Sequence, residues 1–290
     1  MVEQHRDYYV PDPSHWPIIA TIGMLTTFVG AAQWMHKLWY SEYVFFTGLL
    51  LIVITLFGWF GTVVNENLAG RYGHKEDLSF RWGMVWFIFS EVCFFGAFFG
   101  ALFFARVFSV PELGGQIHPI THIMLWPNFH ATWPLLSNPD NAKFVGANEL
   151  MEAWGIPAMN TLILLTSGVT ITWAHWGLKM QKQSHLLIGL TLTIMLGVIF
   201  LLLQAHEYHT AFTEMRLNLN AGIYGTTFFM LTGFHGAHVT IGTIMLMVML
   251  YRSARHNFTP DNHFAFEAAA WYWHFVDVVW LFLFIFVYWL

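Results

Sequence analysis

From Phe264 to Leu290 the chain reads FAFEAAAWYWHFVDVVWLFLFIFVYWL, an apolar run of membrane-crossing length that also carries Glu267, His274 and Asp277. In hydrocarbon a segment must satisfy its own backbone N–H and C=O groups, so such a run has to be helical. About 20 residues suffice to span. An ionisable group near the bilayer centre costs roughly 2.5–3.5 kcal/mol even on lenient insertion scales. At about 100° per residue, Glu267, Ala270, His274 and Asp277 fall within an arc of about 80°. That stripe is expected to face protein, either as a site within the membrane or as interhelical polar contacts.

The rest of the chain has the same character. It is 57% hydrophobic and 10% charged, with a mean hydropathy of +0.53, against roughly 25% charged residues in soluble domains. Apolar runs punctuated by Pro, Gly and charge give seven spans: Trp16 to Met35, Glu42 to Val64, Phe80 to Val107, Gly155 to Leu178, Leu186 to Gln204, Gly222 to Tyr251 and Phe264 to Leu290. The fold class is therefore an all-α integral membrane protein with seven transmembrane helices. With the N-terminus inside, the inner segments hold Arg6, Arg71, Lys75, Arg81, Lys179, Lys182, Arg252 and Arg255, against Lys37, Arg106, Lys143 and Arg216 outside. The excess predicts N-in, C-out. The stretch 108–154 reads as a long irregular outer-face loop.

Composition excludes several functions. A net charge of -5 without a basic patch argues against nucleic acid. The single cysteine, Cys93, cannot form a disulfide framework, an iron–sulfur cluster or a CxxCH haem attachment. The polar, acidic N-terminus does not read as a signal peptide. No internal repeat or pair of broken helices points to a transporter.

Glu91 lies near mid-depth in the third span, on a face with Met84, Phe87, Phe94, Phe95 and Phe98. Two readings stand: a proton-linked or helix-bridging acid, or a neutral carboxyl bonded to backbone or hydroxyl groups. Gly96 and Gly100 on its far side form GxxxG, expected to seat a neighbouring helix. In the sixth span Gly222, Gly225, Gly233 and Gly236 share one face as close-packing sites, with His235 and His238 nearly opposite. The histidines suit interhelical hydrogen bonds better than metal ligation, since no HExxH or cysteine partner accompanies them. No residue is assigned a catalytic or metal-binding role. Arg252, Arg255, His256 and His263 gather at the inner end of the sixth span, and Trp59 ends the second on the same side. Cations and an indole at headgroup depth make either a phospholipid seat or ordinary positive-inside anchoring.

RWGMVWFIFSEVCFFGAFF (Arg81 to Phe99), PELGG (Pro111 to Gly115), LLQAHEY (Leu202 to Tyr208), YGTTFFMLTGFHGAHVTIG (Tyr224 to Gly242) and HFAFEAAAWYWHFVDVVWLFLFIFVYWL (His263 to Leu290) together resemble the cytochrome c oxidase subunit III family. So does NTLILLTSGVTITWAHWGL (Asn160 to Leu178). The resemblance implies a two-helix arm (1–70) and a five-helix bundle (71–290) separated by a V-shaped, phospholipid-filled cleft. It implies a non-redox subunit of a proton-pumping oxidase that reduces oxygen with electrons from cytochrome c. Haem and copper would belong to partner subunits I and II; this chain would hold no cofactor beyond bound phospholipid. Its implied roles are stabilising the catalytic subunit and supporting proton uptake. Glu91 matches the family's reactive buried carboxyl, Arg252 an arginine that holds a lipid phosphate and Trp59 a lipid-contacting tryptophan. Glu66, Arg71 and His74 are further lipid candidates, in a segment that matches the family poorly. The expected location is a bacterial cytoplasmic (inner) membrane. A quinol-oxidising complex is the nearest alternative, and a stand-alone haem or copper enzyme or a proton-coupled transporter with Glu91 as carrier are the rivals from other classes.

Overall fold

The computed structural model describes residues 9–290; Arg6, one of the inner cations counted above, lies outside them. Seven helical segments are long and apolar enough to cross a membrane, and among the described residues there is no strand. The chain forms two compact units that divide after Trp82.

In the first unit, α1 (Trp16–Met35) and α2 (Ser41–Leu68) pack against each other. Pro17 opens α1, where a missing N–H costs nothing. Lys37, at φ 57°, turns the chain back. Close packing in lipid depends on small residues because there is no hydrophobic drive to bring the helices together. A Cβ on Gly30 would collide with the Phe45 backbone, and one on Gly48 with the Thr27 backbone, so each helix uses a glycine to admit the other. The Trp16 indole covers Gly58 and donates from Nε1 to Thr62 Oγ1 at 3.2 Å.

The second unit takes up α3 (His74–Phe104), which divides between the units. It continues through a π turn (Ala105–Ser109) into α4 (Val110–Leu113), giving one span of 40 residues. After α5 (Pro119–Leu125) come α6 (Ile156–Lys179), α7 (Gln183–Thr213), α8 (Ile223–Ala254) and α9 (Phe264–Leu283), the last ending in a π turn (Phe284–Trp289). α6 packs on α7, α7 on α8, α8 on α9 and α9 on α6. Trp273 of α9 lies fully buried among them. Its ring lies against Gly197 of α7 and Gly242 of α8, and its Nε1 donates to Ser167 Oγ of α6 at 2.9 Å.

Several expectations change. α3 begins at His74, six residues before Phe80, and α7 runs on to Thr213, past Gln204. The stretch after Phe108 carries the end of the third span and one short helix before it becomes irregular. This outer segment is packed down: Phe129, Leu135 and Ala147 are buried, and Asn138 Nδ2 donates to the carbonyls of Phe144 and Ala221. Among the described residues Gly96 and Gly100 seat no helix, because nothing lies within 4 Å of the space a Cβ would fill, and Cys93 is exposed on the same helix. α3 is attached by ring contacts instead, Phe94 to Phe234 at 5.0 Å and Phe87 to Tyr272 at 6.2 Å. In α8, Gly236 likewise has no neighbour within 4 Å, whereas Gly222, at φ 96°, starts the helix against Asn138.

Gly30→Val would force α1 and α2 apart. Overpacking of this kind should cost about 1–3 kcal/mol, read as a lower thermal-unfolding midpoint of the purified membrane protein; an unchanged midpoint would contradict the close approach.

Candidate functional site

Glu91 stands near the middle of the third span, and its Oε2 lies 2.8 Å from His238 Nε2 on α8. The other imidazole nitrogen, Nδ1, is 2.6 Å from the Phe234 carbonyl, which can only accept. Nδ1 therefore carries a proton. Between Glu91 and His238 one further proton remains, held either as carboxyl O–H donating to Nε2 or as Nε2–H donating to carboxylate. Phe95 and Tyr272 flank the imidazole at centroid distances of 5.0 and 6.4 Å. This arrangement is a single-proton bridge between α3 and α8 in an aromatic sleeve.

The stripe on α9 serves two different neighbourhoods. Asp277 is buried; its Oδ2 lies 4.0 Å from His274 Nδ1, too far for a hydrogen bond, and its Oδ1 has no partner in the chain. Thr172 spends its hydroxyl proton on the Gly168 carbonyl, so His274 Nε2 is the donor in its 3.3 Å contact with Thr172 Oγ1. Both residues line an apolar groove of about 600 Å³ between α6 and α9, with Trp173 and Leu281 among its walls. Glu267 is half-buried one turn from the start of α9. His235 is not part of this groove: it is fully enclosed by Phe200 and Trp280 and donates from Nε2 to the Val276 carbonyl at 3.2 Å, bridging α8 to α9.

At the end of α8, Arg252 is 5% exposed, its guanidinium lies 4.5 Å over the Phe258 ring, and its buried Nε has no hydrogen-bond partner. Phe258 meets Phe266, Phe266 meets His175, and His175 meets His263 with ring centroids 5.3 Å apart. His175 Nε2 and both nitrogens of His263 are buried without partners. The ends of α6 and α8 and the start of α9 thus hold buried nitrogens, on His175, Arg252 and His263, that have no hydrogen-bond partner among the described residues. His256 stands apart, exposed, at φ 56° in the turn that follows. No pattern in the sequence relates His175, on α6, to His263, the residue that precedes α9.

Trp59, Glu66, Arg71 and His74 belong to the first unit. Trp59 is exposed and His74 is the exposed first residue of α3. Glu66 accepts hydrogen bonds from the hydroxyls of Tyr72 and Tyr9, and Arg71 donates to the Tyr9 hydroxyl at 3.1 Å with Asp12 at 3.9 Å. Glu76 accepts from the backbone N–H of Tyr9 and of Gly73, both at 2.7 Å. Glu66 and Arg71 are thus engaged in tying Tyr9 to the α2–α3 connection. Burial first, and then the Glu66 carboxylate, raise the Tyr72 pKa above its usual value, while the hydrogen bond to Tyr9 raises that of Arg71.

Glu207 is the buried acid that the sequence reading passed over. It is 1% exposed and accepts a hydrogen bond from the Tyr288 hydroxyl at 2.6 Å. The available signal is its place on the row Thr193, Gly197, Phe200, Gln204, Glu207, which continues the buried face of α7. Among the described residues, no three His, Cys, Asp or Glu side chains stand together in a way that could hold a metal ion.

The family model described as Cytochrome c oxidase subunit III matches residues 6–138 and 122–290, two stretches that overlap in the outer segment. The chain belongs to the cytochrome c oxidase subunit III family. Relatives named cytochrome c oxidase subunit 3 from Scyliorhinus canicula and from Dugong dugon are each 41% identical over 290 residues, all of this chain and 99% of theirs. That of Drosophila melanogaster is 41% identical over 286 residues, 98% of this chain and 97% of its own. The subunit III chain is accordingly a multi-pass membrane component of an oxidoreductase complex with other oxidase subunits.

Two outcomes follow from these contacts. Glu91→Gln keeps a donor for His238 Nε2, whereas Glu91→Ala leaves that buried nitrogen unpaired at a cost of about 1–3 kcal/mol. Thermal unfolding should separate the two variants, and equal stability would remove the bridge from the packing of α3. A raised Tyr72 pKa stabilises the fold below the tyrosine's unfolded value, roughly 10, and that contribution is lost as pH rises through the higher folded value. Tyr72→Phe should abolish this alkaline component; an identical alkaline stability profile in the variant would show that the hydroxyl contributes nothing.

Proposed function

We propose that this subunit III is the non-redox core subunit of a proton-pumping cytochrome c oxidase. It seats phospholipid at the Arg252 end, stabilises the catalytic subunit and supports proton uptake. Oxygen is reduced to water on haem and copper held by subunits I and II, with cytochrome c as donor, and electrons do not pass through this chain.

The observation that carries the lipid reading is the buried Arg252, whose Nε has no hydrogen-bond partner among the described residues. A guanidinium N–H buried without an acceptor is costly, and a phosphate supplies both the opposite charge and the acceptors. Arg252 lies two residues before the end of α8, where a lipid headgroup meets the membrane surface. Glu91 is the proposed proton-linked acid, supported by the single proton it shares with His238.

The proposed setting is a bacterial cytoplasmic membrane, with the N-terminus inside and the C-terminus outside. The inner excess of Lys and Arg supports the orientation. Equal identity to a shark, a mammal and a fly supports a lineage outside the animals. The seven spans favour the cytochrome c branch over a quinol-oxidising complex.

Arg252→Ala should lower the anionic phospholipid retained by the purified complex and shorten its active lifetime during turnover. Mass spectrometry of co-purified lipid, paired with oxygen consumption over time, tests both; lipid content equal to wild type would take Arg252 out of the site.

A further inference from the structure

At the opposite end of α6 from His175, four buried polar atoms on two helices lack partners: Oδ1 and Nδ2 of Asn160, Oε1 of Gln204 and Oε2 of Glu207. The three residues are 0%, 5% and 1% exposed, so bulk water does not reach them. The pairing of α6 with α7 brings the three residues to one level. α6 and α7 run antiparallel, with Gly177 against His185, Ala174 against Gly189 and Thr170 Oγ1 2.7 Å from Thr193 Oγ1. Carried along both helices, that register sets Asn160 beside Leu203 and Gln204, with Glu207 one turn further on. Asn160 also shares the buried row of α6 with Leu164, Ser167, Ile171 and Ala174, which faces α7 and α9.

Trp280 closes the same layer. Its Nε1 donates to Thr161 Oγ1 next to Asn160, and its ring meets Phe200, one turn before Gln204, at 4.8 Å. It also meets Tyr288 at 5.8 Å, and the Tyr288 hydroxyl donates to Glu207 Oε1 while accepting from Gln204 Nε2 at 3.4 Å.

Buried polar atoms in native proteins are almost always satisfied, and a pocket offering several such atoms is the usual seat of an internal water. We propose that Asn160, Gln204 and Glu207 bind an ordered internal water that joins α6 to α7 in the outer half of the membrane. One water accepts from Asn160 Nδ2 and donates its two hydrogens to Gln204 Oε1 and Glu207 Oε2, the three bonds typical of buried water. A cation would meet the three oxygens and leave Asn160 Nδ2 without an acceptor, whereas the water leaves only Asn160 Oδ1 open, so the two are separated by experiment. The site lies about 22 Å along α6 from His175, so it is separate from the buried nitrogens at that end. Through Glu207 and Tyr288 the water also ties the C-terminal π turn to the two helices.

High-resolution electron cryomicroscopy of the intact oxidase complex tests this. The expected result is a density peak within hydrogen-bonding distance of Gln204 Oε1, Glu207 and Asn160. Direct hydrogen bonds among the three side chains with no peak between them would overturn it. A peak that gains scattering when sodium is exchanged for rubidium would overturn it in favour of a cation. Infrared spectroscopy gives an independent measure in the assembled complex: an internal-water O–H stretch that shifts in H2(18)O should vanish in Gln204→Leu and persist in Gln204→Glu, which keeps the acceptor. A band unaltered by Gln204→Leu counts against the site.

Discussion

Trp273 is the contact on which the second unit depends. Its ring occupies a slot that exists because Gly197 and Gly242 carry no side chain, and its indole N–H ends on Ser167. One residue of α9 thereby fixes its distance to α6, α7 and α8 together. In lipid this matters more than in water, since association rests on close packing and on hydrogen bonds with no exclusion of apolar surface to drive it. A side chain at either glycine would displace the ring, and a residue without an N–H would strand the Ser167 hydroxyl contact.

Within that frame, several polar groups in the membrane bridge one helix to another. His235 and Trp280 hold α8 and α6 to α9 through the Val276 carbonyl and the Thr161 hydroxyl. α3 is held differently, by aromatic contacts and by Glu91 and His238. Its three glycines, Gly83, Gly96 and Gly100, meet nothing within 4 Å among the described residues. The result is a helix that depends on one polar bridge and a set of rings. The Arg252 end is built on another logic, with buried nitrogens left without a hydrogen-bond partner among the described residues. Trp273, Trp280 and His235 tie the centre of the unit together, while hydrogen-bonding capacity is left open at Arg252 and again at Asn160, Gln204 and Glu207. That contrast connects the fold to membership of a lipid-embedded complex.

How much was legible varies with the kind of signal. The seven spans follow from runs of apolar residues, and the structure has all of them. Their ends were less legible, because Gln204 and Glu207 look like a stop while Tyr288, 81 residues from Glu207, makes their burial tolerable. GxxxG in α3 was read as a packing face because glycine spacing carries no information about whether a neighbour is present. Glu66 and Arg71 looked available for lipid, yet tyrosine hydroxyls close in the fold engage both. His175 and His263 gave no pattern at all, since neither helical period nor local motif relates them.

By itself the sequence determined that this chain is helical and membrane-spanning: without water, a backbone must bond to itself within each apolar run. It also determined the family, through strings that place ionisable residues at fixed points within those runs. Only the tertiary structure decided which of these residues meet. Glu91 and His238 lie 147 residues apart and share a proton because α3 and α8 bring them within 2.8 Å, a distance that helical periodicity along a single run cannot specify.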